Sequence, residues 1–154
     1  MVEKTAEALD EVLQNIVKST AGIRHVILMD RTGLTIGNVQ KYSFDKTVSI
    51  ERLGAIAGAV FQAIEEQGAC IDYGSINSQI TEYDKGFVFS VSAGDNAVLC
   101  IVTDPNVNLG MIRNVMKKYQ KPLAGLVKKY LAQDESAVSN EIRNLLKDNQ
   151  MDLF

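Results

Sequence analysis

Apolar positions along the chain switch between helical and strand-like spacing, and this order predicts the elements of the fold. Residues 5–19 repeat apolar side chains at helical spacing, whereas 23–30 and 34–39 form two short apolar runs around a turn at 31–33. Gly33 supplies the positive φ that a short hairpin loop requires. The first part of the chain is therefore predicted to be a helix followed by a β-hairpin.

The middle of the chain predicts a second helix and three more strands. A polar loop at 40–47 leads to a helix at 50–66, and Ser49 is suited to cap it. The stripe expected to face the sheet consists of Ile50, Leu53, Ala57, Val60 and Ile64. The strands follow, separated by short turns, at 75–83, 87–93 and 97–103. The last of these is apolar on both faces and is predicted to lie in mid-sheet.

A long third helix is expected at about 107–132. Pro122 is expected to kink it or split it in two, because proline removes a backbone donor and clashes with the preceding turn. A break at 132–139 and a short final helix at 137–148 follow. The chain is thus divided into a domain at 1–133 and a C-terminal helical extension at 134–154.

Together these elements predict an α/β fold of the α+β type. The order is α-β-β-α-β-β-β-α with an extra C-terminal helix. Because short turns join consecutive strands, those pairs are antiparallel. We expect a five-stranded antiparallel sheet with helices on both faces.

Composition narrows the possible partners. A net charge of −3 and a pI near 5.2 do not indicate the excess of positive charge that is typical of nucleic-acid-binding proteins. No apolar run approaches the ~18 residues of a membrane span, so we expect no direct membrane insertion, and the N-terminus lacks the pattern of a secretory signal. Cys70 and Cys100 are interpreted as two buried thiols in a reducing cytoplasm, with one disulfide as the alternative.

Candidate catalytic chemistry is sparse. His25 is the one histidine, and a lone strand histidine is more often structural than catalytic. No cluster has metal-ligand spacing and no glycine-rich phosphate loop is present, so no metal, no cofactor and no enzymatic activity are expected. The lysines at 117–121 and 128–129 fall on the polar side of a helix, which favours a solvated face over a patch for an acidic partner.

The small residues of the second helix are interpreted as a subunit interface. A glycine inside a helix costs about 1 kcal/mol relative to alanine, so a close approach must compensate. One alternative is that they pack on the chain's own sheet. The favoured interpretation places them off the sheet-facing stripe, against a second copy. The helix residues assigned to this interface are Gly54, Ala55, Gly58, Phe61 and Gln62.

The third strand is expected to complete that interface. Its polar positions suggest an edge strand, and an unprotected edge is a template for pairing. Two copies pairing edge to edge would form a homodimer with one continuous sheet. The strand residues assigned to the interface are Asn77, Gln79 and Thr81.

Three segments carry a family resemblance. HVILMDRTGLTIGN (25–38), RLGAIAGAVFQAI (52–64) and FSVSAGDNAVLCIVTDPNVNLGMIR (89–113), in this order of elements, resemble the Roadblock/dynein light chain domain. The likeness covers roughly residues 5–130. It implies a homodimer or heterodimer built through the second helix and third strand, with no enzymatic site of its own.

The same resemblance implies a small Ras-like GTPase as partner. Bacterial relatives activate GTP hydrolysis by reordering the GTPase's own active site, and eukaryotic relatives anchor GTPases or join dynein complexes. Some bacterial relatives touch the GTPase with a C-terminal tail, which makes Ile142, Leu145 and Leu146 candidate contacts. The alternative is that these side chains fold back onto the chain's own helices. Two other functions stay open: a light-chain-type adaptor without effect on a GTPase, and a small-molecule sensor.

Overall fold

The computed structural model describes residues 2–41 and 49–151. Along them the elements are α1 (Val2–Ser19), β1 (Ile23–Asp30), β2 (Thr35–Gln40), α2 (Ile50–Cys70), β3 (Gln79–Tyr83), β4 (Gly86–Ser92), β5 (Ala97–Thr103) and α3 (Leu109–Met151). Most of the loop predicted at 40–47 lies outside the described residues. The predicted order of elements is confirmed up to α3, although β3 begins four residues later than expected.

The five strands form one antiparallel sheet in the order β2-β1-β5-β4-β3. The predicted fold is therefore confirmed: β5 is the central strand, and β3 lies at an edge. The short turns that join β1 to β2, β3 to β4 and β4 to β5 explain why these neighbours run antiparallel.

Helices cover both faces of the sheet. Strand pairing places Ile80, Phe89, Ile101 and Val26 in one row, on the face covered by α1 and α3. The next row, made of Gln79, Ser90, Cys100 and Ile27, lies on the opposite face, which α2 covers in part. α2 contacts β1, β2 and β5, and the cluster beneath it also includes Val88 of β4 and Ile76, which precedes β3.

Two short polar side chains stabilise the ends of elements, and for Ser49 this is the predicted role. Ser49 is the N-cap of α2, and its Oγ accepts a hydrogen bond from the Arg52 amide at 3.3 Å. Asp30 Oδ1 accepts hydrogen bonds from the amides of Thr32 (2.8 Å) and Leu34 (3.0 Å), which closes the turn between β1 and β2. Both interactions form because the short side chains of Ser49 and Asp30 place an oxygen atom within reach of nearby backbone amides.

The predicted break after residue 132 is wrong. α3 is one helix of 43 residues that runs through Pro122, Gln133 and Asp134 without interruption. Proline at position 122 removes the amide that would bond to the carbonyl of Lys118, and both residues lie on an exposed part of the helix, where water can hydrogen-bond to such a carbonyl. The segment from Asp134 onward is thus a continuation of α3 and not a separate helix.

Candidate functional site

The outer face of α2, on the side away from the sheet, is apolar and exposed. Ile56 is 53% exposed and Val60 is 39% exposed. Around them lie the small exposed side chains of Ala55, Ala59 and Ala63. These five residues, which we call the outer face of α2, form a flat apolar strip at helical spacing. Large apolar side chains on such a strip are typical of an interaction surface.

The inner face of α2 contains the two glycines and the phenylalanine that the sequence analysis placed on the outside. Gly54 and Gly58 are buried, and Phe61 is only 1% exposed within its own chain. A Cβ atom at Gly58 would lie 2.8 Å from Gly33 Cα, and one at Gly54 would lie 3.1 Å from Thr35 Oγ1. The interpretation that these residues lie off the sheet-facing stripe is therefore wrong.

The physical reason for this correction is close packing of α2 on the β1–β2 hairpin. The glycines allow the helix to approach the hairpin turn, and Phe61 fills the space beside it. Val60, which was assigned to the sheet-facing stripe, is turned outward instead. Of the helix residues assigned to an interface, Ala55 and Gln62 are exposed, as that assignment requires.

The edge strand β3 presents the polar side chains that the sequence analysis expected. Gln79 and Thr81 lie on the α2 side of the sheet, and Gln79 Nε2 donates a hydrogen bond to Thr81 Oγ1 at 3.0 Å. Asn77 precedes the strand and is exposed. β4 is the only sheet neighbour of β3 among the described strands, so its other side is available for pairing.

Arg31 joins α2 to the turns at one end of the sheet. Its guanidinium forms an ion pair with Glu65 of α2 and donates to Ser92 Oγ (3.1 Å) and to the carbonyl oxygens of Gly94 (3.0 Å) and Asp95 (3.1 Å). It also lies 5.5 Å from the centre of the Phe61 ring. This role was not predicted, because the sequence at 31–33 indicates only a turn.

A cleft of about 880 Å³ opens beside this arginine. Its walls come from the C-terminal half of α2, the segment before β3, and the turns at the same end of the sheet. Among its lining residues are Arg31, Gln62, Glu65, Ser75 and Ile76. Because four of the guanidinium's hydrogen bonds go to protein acceptors, Arg31 acts here as a structural clamp between elements.

The C-terminal part of α3 projects beyond the rest of the chain. At Gln133 the helix still contacts α1, where Thr5 Oγ1 donates a hydrogen bond to Gln133 Oε1 at 3.0 Å. Residues 134–149 are all exposed. The predicted contact residues Ile142, Leu145 and Leu146 are 52%, 61% and 59% exposed, so they do not fold back onto the chain's own helices.

The titratable groups differ in their surroundings. Cys100 is buried in β5, and this burial raises the pKa of its thiol to about 11 although Ser90 opposes the shift through a hydrogen bond. Cys70 is exposed at the end of α2, so the expectation of two buried thiols is wrong for this residue; both cysteines are free. His25 is buried in β1. Among the described residues, no cluster of three or more potential ligands suits a metal ion.

No helix in the described part of the chain combines the length and apolar character that crossing a bilayer requires.

Comparison with known proteins agrees with the fold described above. The model of the Roadblock/LC7 domain family matches residues 9–103. Two uncharacterised proteins of Methanocaldococcus jannaschii, MJ0310 and MJ1340, are each 34% identical over 110 residues, which cover 71% of this chain and 91% of the relative.

Solved structures with a similar fold include two bacterial proteins. The gliding protein MglB from Thermus thermophilus has a TM-score of 0.74 at 19% identity, covering 81% of this chain and 92% of that chain. Myxococcus xanthus MglB has a TM-score of 0.71 at 19% identity, covering 79% of this chain and 96% of that chain. At these identities the likeness is one of fold.

Proposed function

This chain belongs to the Roadblock/LC7 domain family, and on that premise we propose that it is a non-enzymatic, cytoplasmic homodimer that binds a small Ras-like GTPase as regulator or scaffold. The observation that supports the proposal is that one subunit has two surfaces that no other part of the described chain covers. The outer face of α2 is apolar and exposed, and the side of β3 away from β4 pairs with none of the described strands.

The proposed dimer uses these two surfaces together. Pairing of two β3 edges would continue the sheet from one subunit into the other. The α2-side residues Gln79 and Thr81 would then lie near the junction, with Asn77 beside them. Burial of Ile56 and Val60 in the interface would stabilise the dimer by about 25 cal/mol for each Å² of apolar surface removed from water. Ala55 and Gln62 complete the exposed surface of the helix, whereas Gly54, Gly58 and Phe61 support it from within the subunit.

The proposed GTPase contact uses the projecting end of α3. An isolated helical segment of this length is marginal in water unless it docks. Its apolar side chains Ile142, Leu145 and Leu146 are exposed, and these are the positions at which a partner would cover it. In this proposal, residues 1–133 form the dimerising domain and the extension at 134–154 provides a contact with the GTPase.

The deciding experiment measures GTP hydrolysis by a small Ras-like GTPase of the same genome, with and without the protein. We expect binding in at least one nucleotide state, together with a change in the hydrolysis rate for a regulator or an unchanged rate for a scaffold. Failure to bind any such GTPase in either nucleotide state contradicts the proposal.

The free edge of β3 also favours a second candidate, an adaptor that binds a partner peptide by strand addition. Such an adaptor belongs to a larger motor, transport or signalling complex and leaves GTPase rates unchanged. Isolation of the protein with a large complex that contains no GTPase would favour this alternative.

A further inference from the structure

The first part of α3 has a concentration of positive charge that the proposed function does not use. Between Leu109 and Gln133 the helix contains six basic residues and no acidic one, although the whole chain has a net charge of −3. All six are exposed. We call this set the basic face of α3: Arg113, Lys117, Lys118, Lys121, Lys128 and Lys129.

The basic face points away from the body of the protein. The side chains that α3 buries against the sheet and α1 are Ile112, Met116, Leu123 and Val127. At about 100° per residue, the lysines lie on the opposite side of the helix from these positions. From Arg113 to Lys129 the face extends for about 24 Å along the helix axis, at a rise of 1.5 Å per residue.

These charges are not neutralised within the described part of the chain. The two ion pairs found there are those of Arg24 with Asp104 and of Arg31 with Glu65. On α3, Lys117 lies four residues from both Arg113 and Lys121, and like charges at this spacing destabilise a helix by a few tenths of a kcal/mol. The helix therefore maintains a repulsive arrangement that an anionic partner would relieve.

We propose that the basic face of α3 adsorbs the protein onto an anionic lipid membrane surface. Five of the six cations are lysines, which act as point charges and suit a diffuse anionic surface, whereas arginines suit bidentate recognition of single groups. The six residues are spread along about 24 Å of an exposed helix surface, and the four clefts described at other places on the chain are lined by different residues. A flat, negatively charged surface is the complement of this face.

An exposed apolar side chain accompanies the charges. Met111 is 49% exposed and precedes Lys118 by seven residues, so it lies on the same side of the helix. Its thioether side chain can enter the boundary between headgroups and acyl chains, while the lysines remain among the headgroups. This is adsorption to the surface, without a segment that spans the bilayer.

The position of α3 on the sheet would bring the two basic faces of the proposed dimer close together and so strengthen their attraction to an anionic membrane. α3 contacts β4 and β5, whereas α1, whose exposed side carries four acidic residues, contacts β1 and β2. If two β3 edges pair, both basic faces lie beside the dimer axis and the acidic α1 helices lie outside them. The juxtaposition of two basic faces depends on the dimer of the proposed function. The basic face of a single chain does not depend on that dimer.

The test is co-sedimentation of the full chain with phosphatidylcholine vesicles that contain or lack phosphatidylserine. We expect binding only to the anionic vesicles, with loss of binding at high salt because screening weakens the attraction. The triple variant Lys117→Gln, Lys121→Gln, Lys128→Gln should bind about a hundredfold more weakly, since each lysine near such a surface strengthens binding about fivefold.

The matched control is Lys4→Gln, Lys18→Gln, Lys147→Gln, which removes the same charge from exposed positions elsewhere and should bind like the unmodified chain. Equal weakening of both triple variants, or no binding to anionic vesicles, overturns the proposal. Binding to poly-glutamate without binding to vesicles also overturns it and assigns the face to an acidic protein. These assays contain no GTPase, so failure of the proposed function leaves their outcome unaffected.

Discussion

Gly58 of α2 rests directly on Gly33 in the turn between β1 and β2, where a Cβ at position 58 would approach Gly33 Cα to 2.8 Å. Neither the backbone at Gly58 nor the backbone at Gly33 can move away easily. Gly33 has a φ of +89°, which side-chain-bearing residues rarely adopt, and its own Cβ position would lie 2.8 Å from Ala55 Cα. The two glycines thus set the distance between α2 and the hairpin of the same chain.

We predict that Gly58→Ala destabilises the subunit. Overpacking of a close contact costs about 1–3 kcal/mol, which exceeds the gain of up to about 1 kcal/mol from the better helix propensity of alanine. The measurement is the free energy of unfolding in urea. Gly125→Ala is the control, because it also lies inside a helix but has no atom within 4 Å of its added Cβ. It should stabilise the chain. Loss of the dimer with an unchanged subunit would instead support an interface role for Gly58.

The contrast between α2 and the sheet shows what the sequence could predict. Alternating or continuous apolar runs identified all five strands, and the turn at 31–33 with Gly33 located the hairpin, because these signals are local. The orientation of α2 was predicted from the size of its side chains. The buried side is instead set by how closely its backbone approaches Gly33, a long-range contact that no spacing within 50–66 reveals.

The same limit applies to α3 and Arg31. Pro122 and the polar run after residue 132 predicted a break, but the helix continues through both. Pro122 and Lys118, whose carbonyl loses its donor, are exposed, and this exposure is not visible in the sequence pattern. Arg31 stood in a turn motif whose other residues explain the turn. Its partners lie 34 to 64 residues away in the sequence, so nothing near it signalled the clamp.

Replacement of the clamp provides the second prediction. Arg31→Gln should lower the free energy of unfolding by about 1–3 kcal/mol, because it removes charge-assisted hydrogen bonds to Glu65 and to the turn at Gly94. Arg24→Gln is the comparison: Arg24 has one carboxylate partner, Asp104, is half exposed and should cost less than about 1 kcal/mol. Thermal unfolding of both variants distinguishes them, and equal losses would show that Arg31 is an ordinary surface ion pair.

The outer face of α2 leads to a third prediction. Ile56→Asp should convert the proposed dimer to a monomer, since a carboxylate at a 53% exposed apolar position is tolerated in the subunit but not in a dry interface. Mass measurement by light scattering during size-exclusion chromatography checks the oligomeric state. The control is Ser136→Asp, which places the same charge on an exposed site of the α3 extension and should leave the dimer intact. A dimer that survives Ile56→Asp excludes this face from the interface.

Thiol accessibility provides a fourth prediction. In the native protein a thiol reagent should label Cys70 rapidly and Cys100 only after denaturation. Burial raises the pKa of the Cys100 thiol from its ordinary value of 9.0 to about 11, which leaves little thiolate at neutral pH. Because the folded-state pKa is the higher one, this thiol's contribution to stability is present below about pH 9 and is lost as the pH rises toward 11. Cys100→Ala should remove that part of the pH dependence, whereas Cys70→Ala should not. Two rapidly labelled cysteines would contradict the buried position.

The projecting end of α3 provides the last prediction. Deletion of residues 135–154 should leave the unfolding midpoint and the proposed dimer unchanged, because the side chains of 135–149 are exposed. It should weaken binding to the GTPase. In the full chain, Ile142→Asp with Leu145→Asp should weaken GTPase binding as the deletion does, since both are exposed apolar side chains on one side of the helix. Asn140→Asp with Asn144→Asp adds the same charge to the opposite side and should bind like the unmodified chain. Isothermal titration of each variant with the GTPase separates the two faces. Equal affinities for all variants would show that the extension does not contact the GTPase, and the apolar side chains would then require another partner.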